Sequence, residues 1–297
     1  METIKYQDMD CIPLENAALR LLVTQSVGPR ILSLRLHGGE DLFARLPDFI
    51  SERPDGKIFH FRGGHRLWQA PESMSHTYAL DDDPVDISPS DSGAGGLLVR
   101  QCLDAGTGIE KSLHISLMGN QPQVHVRHML TNRGSRLIEC APWAITQLRT
   151  GGVAILPQSR NQTQMLPNRS LVLWPYTDLA NAQVSWGNRY ILVRAAMTTA
   201  FKIGFPNPRG WLAYWLNGTL FVKRAEFDAS AEYYDFGSSS ECFCNDKFLE
   251  LETLSPIRRL EPGESVGHTE TWELYAGVEF PADEDAAQAI TDKLGLE

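Results

Sequence analysis

The sequence predicts an all-β protein in which antiparallel sheets pack face to face. Short runs of β-branched and aromatic residues recur between Gly, Pro, Asn and Asp, a pattern typical of sandwiches and barrels. No helical patterns alternate with these runs, which excludes a doubly wound parallel sheet. The chain has 297 residues, 42% of them hydrophobic, and no linker-like segment. We therefore expect one domain over residues 1–297 with a large core.

Eleven runs are predicted to be strands because they are apolar or alternate between polar and apolar residues. They cover residues 19–23, 30–36, 96–103, 109–117, 123–131, 137–148, 189–196, 210–216, 218–224, 248–254 and 265–275. Asn217 and Gly218 are predicted to form a two-residue hairpin turn, since both tolerate positive φ. A short C-terminal helix is expected over residues 283–294, with acidic residues in its first turn and Gly295 after its end.

Charge and composition restrict the possible partners. The net charge is −10, and only seven of the 27 basic residues are lysine, which argues against nucleic acid. No apolar run is long enough to span a membrane and no signal-peptide pattern begins the chain, so we expect a cytoplasmic protein without a membrane partner. The oligomeric state is not determined by these features.

Cofactor motifs are missing from the sequence. Five cysteines at irregular spacing do not indicate a disulfide framework. Cys242 and Cys244 have no second Cys or His pair at zinc spacing, and His125 and His128 would point to opposite faces of a strand. No glycine-rich phosphate loop is present. We therefore predict neither a metal nor an organic cofactor.

Five short segments together are typical of one known family. Three lie late in the sequence: Phe-Leu-Glu-Leu-Glu-Thr-Leu-Ser-Pro at 248–256, Leu-Glu-Pro-Gly-Glu-Ser at 260–265 and His-Thr-Glu-Thr-Trp-Glu-Leu at 268–274. Two lie earlier: Thr-Asn-Arg-Gly-Ser at 131–135 and Gly-Gly-His-Arg-Leu-Trp at 63–68. They resemble the closing strands, the central turn and the early Gly-Gly segment of the galactose mutarotase-like superfamily, which includes the aldose 1-epimerases. The resemblance covers about residues 45–275 and is greatest to a bacterial branch. It implies an antiparallel supersandwich and a small carbohydrate as ligand.

The resemblance places the catalytic base of the family at Glu252. Residues alternate along a strand, so Glu250 and Glu252 share one face with Cα atoms about 6.6 Å apart. Two neighbouring carboxylates in a partly dry site can hold one proton near neutrality. The alternative is a solvated outer face with two ordinary glutamates.

The family's general acid, a histidine, has no counterpart here. Pro142 and Trp143 stand at its expected place, and neither can protonate a ring oxygen. His65 follows two glycines that would let a backbone approach a ligand, so we name it as the candidate acid. The alternative is a structural histidine in a tight turn.

Further side chains are candidates for sugar binding, by charge, hydrogen bonding or stacking of an aromatic face. They are Arg66, Trp68, Glu72, Trp143, Lys223, Asp235, Glu241 and Glu250. For the tryptophans the alternative is core packing, and for Asp235 and Glu241 it is an exposed loop. We expect Glu250, Glu252, His65 and Trp68 to converge on one open cleft.

Three functions fit these observations. The first is an epimerase or mutarotase-like isomerase acting on a free sugar or sugar derivative. The second is a sugar-binding protein that has lost the acid and with it catalysis. The third is a carbohydrate lyase or glycosidase that uses paired carboxylates; the missing secretion signal argues against it.

Overall fold

Two large antiparallel sheets make up most of the protein, as predicted. The computed structural model describes residues 2–90, 95–103 and 106–296. The first sheet contains twelve strands: Ile4–Tyr6 (β1), Met9–Glu15 (β2), Leu19–Thr24 (β3), Arg30–Leu36 (β4), Arg45–Glu52 (β5), Ile58–Ala70 (β6), Ile138–Arg149 (β11), Val172–Leu173 (β13), Phe201–Phe205 (β16), Ser240–Cys244 (β19), Phe248–Leu254 (β20) and Arg258–Leu260 (β21).

The second sheet contains ten strands: Asp86–Pro89 (β7), Leu97–Arg100 (β8), Ile109–Leu117 (β9), Gln123–Asn132 (β10), Val153–Pro157 (β12), Val184–Trp186 (β14), Tyr190–Arg194 (β15), Trp211–Leu216 (β17), Thr219–Ala225 (β18) and Ser265–Ala276 (β22). A one-turn segment, Tyr234–Gly237 (α1), and the C-terminal helix Glu284–Leu294 (α2) complete the described elements. None of the helices in the described ranges has the length and apolarity that a membrane crossing requires.

The centre of the first sheet brings together strands that are distant in sequence. Its strand order runs β6-β11-β20-β19-β16. Ile145 of β11 lies opposite Arg66 on one side and Glu252 on the other, and Glu252 lies opposite Glu241. Directly opposed residues of antiparallel strands share a face. These side chains therefore lie in one row across four strands.

Apolar residues cover both faces of this central region. Leu67 and Leu251 point into the main core, where they join residues of the second sheet. Trp68, Trp143 and Ile145 belong to a separate cluster on the opposite face. We call the face toward the second sheet the inner face, and the other the outer face. Neighbouring residues of one strand thus serve two different environments, as the alternation of a strand requires.

The structure shows no tight turn at His65, which was the alternative considered for this residue. Residues 62–68 lie inside the 13-residue strand β6. Gly63 and Gly64 have φ values of +88° and +75°, and a Cβ would lie 2.0 Å from the carbonyl oxygen of Ala44 or 2.2 Å from that of Ile31. The glycines therefore allow neighbouring backbone to approach closely within the sheet.

Local signals elsewhere are confirmed. Asn217 and Gly218 connect β17 and β18 with φ values of 47° and 81°, as a primed hairpin turn requires. Helix α2 begins after Asp283, whose side chain accepts a hydrogen bond from the N–H of Ala286, and ends at Gly295 in the left-handed region. These are the capping roles expected from their residue types.

Candidate functional site

A cleft of about 230 Å³ lies on the outer face of the first sheet. Aromatic side chains form most of its wall, and two cations and two carboxylates interrupt them. The residues that line the cleft are Phe49, Phe61, Arg66, Trp68, Glu72, Tyr78, Trp143, Ile145, Tyr176, Ala200, Lys202, Phe243, Asn245, Phe248 and Glu250. Flat apolar rings beside a few charged groups suit a small ligand that has both C–H faces and hydroxyls.

Glu250 is the buried carboxyl group that opens onto this cleft. It accepts a hydrogen bond from Arg66 at 3.1 Å. Burial raises the pKa of Glu250; Arg66 opposes this shift and the nearby Glu252 charge adds to it, so that the pKa lies at about 7. The carboxyl group is therefore divided between its neutral and ionised forms at neutral pH.

Arg66 lies beside Glu250 with much of its hydrogen-bonding capacity unused. Its guanidinium carbon is 4.1 Å from the ring centre of Trp68 and 5.3 Å from that of Phe61. Only 2% of Arg66 is exposed, yet Nε and Nη1 have no hydrogen-bond partner among the described residues. Unpaired buried donors are costly, and these two belong to a side chain that lines the cleft.

Lys202 of β16 is the second cation of the cleft. Its Nζ lies 4.6 Å from the ring centre of Trp143 and 4.7 Å from that of Trp174. It forms ion pairs with Glu241 at 2.7 Å and with Glu252 at 3.0 Å. Burial lowers the pKa of Lys202, but attraction to the two carboxylates outweighs burial and holds that pKa well above its usual value. Lys202 remains charged throughout the neutral range.

Glu252 shares the face of Glu250, as predicted, but does not line the open cleft. It is fully buried, and its Oε2 accepts hydrogen bonds from Trp143 Nε1 at 2.8 Å and Lys202 Nζ at 3.0 Å. Its Oε1 has no hydrogen-bond partner within the described chain. The expected position in an open cleft is corrected, because Glu252 bonds to Lys202 and Trp143 and is not among the residues that line the cleft.

Glu241 belongs to strand β19 rather than to an exposed loop. It is fully buried and pairs with Lys202. Burial raises the pKa of Glu241 well above its usual value; Lys202 opposes this shift and the charge of Glu252 reinforces it. Asp235 lies in α1 with a φ of 49°, is half-buried, and is not among the residues that line the cleft.

His65 lies on the inner face, opposite to the cleft, and this corrects the expected convergence. It is fully buried, and its ring centre lies 4.6 Å from that of Trp272 in the second sheet. Its nitrogens contact Thr146 Oγ1 at 2.9 Å and His128 Nε2 at 2.7 Å. Burial lowers the pKa of His65 well below its usual value. The cause is alternation, since Arg66 faces the cleft and its neighbour must face the core.

The predicted place of Lys223 in the cleft is also wrong, because Lys223 lies between the two sheets. Its ammonium forms an ion pair with Glu270 at 2.9 Å, and both side chains are fully buried. His65, His128 and Glu270 bring ligand-type atoms within 4.8 Å of one another. These atoms already have partners: Nδ1 of His128 donates to a backbone carbonyl, the two histidine Nε2 atoms share a hydrogen bond, and Lys223 occupies Glu270. Hydrogen bonds and the charge of Lys223 therefore satisfy the ligand-type atoms of this cluster.

The structure thus brings together some of the residues named from sequence and separates others. Those that line the cleft are Arg66, Trp68, Glu72, Trp143 and Glu250. Glu241 and Glu252 lie buried behind Lys202.

Sequence reasoning missed Lys202, Trp174 and Tyr176. Lys202 stands in Phe-Lys-Ile-Gly-Phe at 201–205, a short run with a single charge. One lysine amid apolar residues was the available signal, since an unpaired lysine is almost never fully buried.

Comparison with solved structures shows the fold. A galactose mutarotase-like protein from Lactobacillus casei ATCC 334 aligns at 12% identity with a TM-score of 0.57, over 89% of this chain and 100% of that one. A galactose mutarotase-like protein from Clostridium acetobutylicum aligns at 10% identity with a TM-score of 0.55, over 93% and 98% of the chains. Galactose 1-epimerase from Lactobacillus acidophilus NCFM aligns at 13% identity with a TM-score of 0.52, over 93% and 98%. No protein-family model matches the sequence, and no curated protein matches it. The predicted galactose mutarotase-like supersandwich is therefore confirmed as a fold.

Proposed function

We propose that this protein, which has the galactose mutarotase-like fold, binds a monosaccharide in the cleft and interconverts its anomers with Glu250 as general base. The observation that carries the proposal is a carboxyl group with a pKa of about 7 in a cleft walled by aromatic rings. A general base is most effective when its pKa lies near the working pH. Perturbed carboxyl groups in clefts are also common at functional sites.

The size of the cleft favours one sugar ring over a polymer. Its volume of about 230 Å³ is below the roughly 300–1,000 Å³ of sites for larger ligands. A glycosidase also needs two carboxyl groups that flank the scissile bond. Glu252 is bonded to Lys202 and Trp143, and Glu72, the second carboxylate of the cleft, accepts a hydrogen bond from Tyr78. The lyase and glycosidase interpretation is therefore disfavoured.

The geometry supports a mechanism without a histidine acid. Ionised Glu250 takes the proton of the anomeric hydroxyl as the bond between the anomeric carbon and the ring oxygen breaks. The N–H groups of Arg66 and Lys202 stabilise the negative charge that develops on the ring oxygen. Rotation of the open-chain aldehyde exposes its other face, the ring closes, and Glu250 returns the proton. The two cations thus replace the electrostatic part of the missing acid.

A sugar-binding protein without catalysis is the second candidate. The observation that favours it is the bond between Lys202 and Glu252, because Glu252 stands at the position of the family base. In that case Arg66 and Glu250 bind hydroxyl groups and no proton transfer follows.

The test is a screen of free monosaccharides by thermal shift, followed by NMR exchange spectroscopy of the anomers of each stabilising sugar. A ligand at 100 times its Kd adds about 2.7 kcal/mol to stability. We expect Glu250→Gln to slow anomer exchange by roughly 10²–10⁴ while the sugar still stabilises the protein. Glu139→Gln is the matched control, because Glu139 pairs with Arg259 on the surface. Stabilisation of wild-type protein without faster exchange would favour the binding protein, and no stabilisation by any sugar would contradict both candidates.

A further inference from the structure

Lys223 touches the strands of the cleft from behind. Its Nζ donates hydrogen bonds to the carbonyl oxygens of Ala144 and Leu251, both at 2.9 Å, and to Thr146 Oγ1 at 3.0 Å. The ion pair with Glu270 ties the same ammonium to β22 of the second sheet. One charge therefore links the second sheet to β11 and β20.

The two carbonyl groups that Lys223 contacts lie beside residues whose side chains face the cleft side of the sheet. Leu251 lies between Glu250 and Glu252 in β20, and Ala144 lies between Trp143 and Ile145 in β11. The residues on either side of each carbonyl project to the outer face, toward the cleft. A shift of either peptide unit would therefore move the side chains of the cleft.

We infer that Lys223 is a positioning residue for the cleft: from the inner face it fixes the peptide units Leu251–Glu252 and Ala144–Ile145, which adjoin Glu250 and Trp143 in their strands, and it places a buried positive charge near Glu250. The inference deepens the proposed function, because it concerns how the base of that reaction is held and tuned. Lys223 does not line the cleft, so its effect is transmitted through β11 and β20.

The histidines around Lys223 add no positive charge to this side of Glu250 near neutral pH. Three histidines face it from β6, β10 and β22, and burial lowers the pKa of each: His65, His128 and His268. They are therefore neutral near pH 7.

Two charges of opposite sign remain near Glu250 on the inner face. Lys223 bonds to Leu251, the residue next to Glu250, whereas Glu270 bonds to the hydroxyl of Thr253, two residues further along. Burial lowers the pKa of Lys223, and the charges of Glu270, Glu252 and Glu250 oppose that shift. On the outer face, Arg66, Lys202 and Glu252 also act on Glu250.

The experiment compares two charge-pair replacements on the same two strands. Lys223→Met with Glu270→Gln removes both inner charges together, which avoids a lone buried charge. Arg224→Met with Glu273→Gln removes the neighbouring pair, joined at 3.1 Å and partly exposed. The pKa of Glu250 is measured by carbon-13 NMR titration of the carboxyl groups and is assigned with Glu250→Gln. Anomer exchange is measured in parallel as kcat and KM.

We expect the inner replacement to increase the proton affinity of Glu250 at least threefold and to lower kcat at least fivefold, with KM within twofold. The Arg224→Met and Glu273→Gln replacement should change none of these three quantities.

Reduced stability with an unchanged Glu250 titration would overturn the inference, since a purely structural lysine would behave in that way. If wild-type protein exchanges no anomers, the proposed function fails while the titration still decides the role of Lys223. If the inner replacement does not fold, Thr146→Val removes one of the four Lys223 contacts and provides the same titration readout. An unchanged Glu250 titration midpoint in that variant would also contradict the inference.

Discussion

Buried polar groups lie on both faces of the first sheet around β20, but among the described residues only those on the inner face have all their hydrogen bonds and ion pairs made. On the inner face, Lys223 bonds to Glu270 and to backbone carbonyls. On the outer face, Arg66 Nε and Nη1 and Glu252 Oε1 have no partner within the described chain. Burying unpaired polar groups costs stability, and such groups persist where a ligand supplies the missing bonds. The difference supports the proposal that a ligand binds on the outer face and not on the inner one.

The two faces also respond to pH in opposite directions. On the inner face, burial lowers the pKa of His128 and His268 to about 3, so their contribution to stability is complete above about pH 6.5 and is lost as the pH falls toward 3. On the outer face, Glu250 has a raised pKa of about 7. Its contribution is complete below about 4.5 and is lost as the pH rises through 7.

The largest expected effect comes from breaking the inner ion pair on one side only. Lys223→Met leaves Glu270 buried without its cation, and removing one partner of a buried pair typically costs about 3–5 kcal/mol. Urea unfolding at pH 7 measures this loss. Replacement of both partners should cost less, since no charge remains unpaired; equal losses in the single and double variants would show that the pair acts through packing rather than charge.

The second effect tests the difference in pH dependence of stability between the two faces. The Glu250→Gln variant should gain stability relative to wild type as the pH rises, because only the wild-type protein must ionise a buried carboxyl group. Between the unfolded value of about 4.5 and the folded value of about 7, the difference should grow by about 1.4 kcal/mol per pH unit. Urea unfolding at pH 4.5, 6 and 8 follows it. A difference that stays constant over this range would mean that Glu250 titrates normally.

The smallest effect separates the inner face from catalysis. His65→Asn removes the hydrogen-bond partner of His128 Nε2 and should cost about 1–3 kcal/mol, the usual penalty for an unpaired buried group. Anomer exchange should remain within about twofold of wild type, since His65 does not face the cleft. A loss of roughly 10²–10⁴ in rate, as for a positioned acid, would restore His65 as the acid and contradict the separation of the two faces.

Strand periodicity predicted the features that depend on one strand alone, namely which side chains share a face. It put Glu250 and Glu252 on one face. It could not show which face meets the cleft, because that depends on which sheet a strand joins: β18 belongs to the second sheet, so Lys223 points between the sheets.

The remaining errors came from long-range packing. Gly63 and Gly64 resemble a turn, but they allow close contact between backbones inside β6. Lys202 joins the site only because β16 pairs with β19, and β19 with β20. No local pattern around Lys202 indicates these pairings, so its partners Glu241 and Glu252 could not be assigned from the sequence.

The most direct test of the account is the pH dependence of kcat/KM for anomer exchange between pH 5 and 10. We predict a single limb: the rate rises as Glu250 ionises around pH 7 and then stays level. Lys202 has a pKa held well above its usual value, and Arg66 keeps its charge even though burial lowers its pKa. Glu250→Gln should abolish the limb. A bell-shaped profile with an alkaline limb below pH 9 would require a titrating acid in the site and would contradict catalysis by Glu250 with fixed cations.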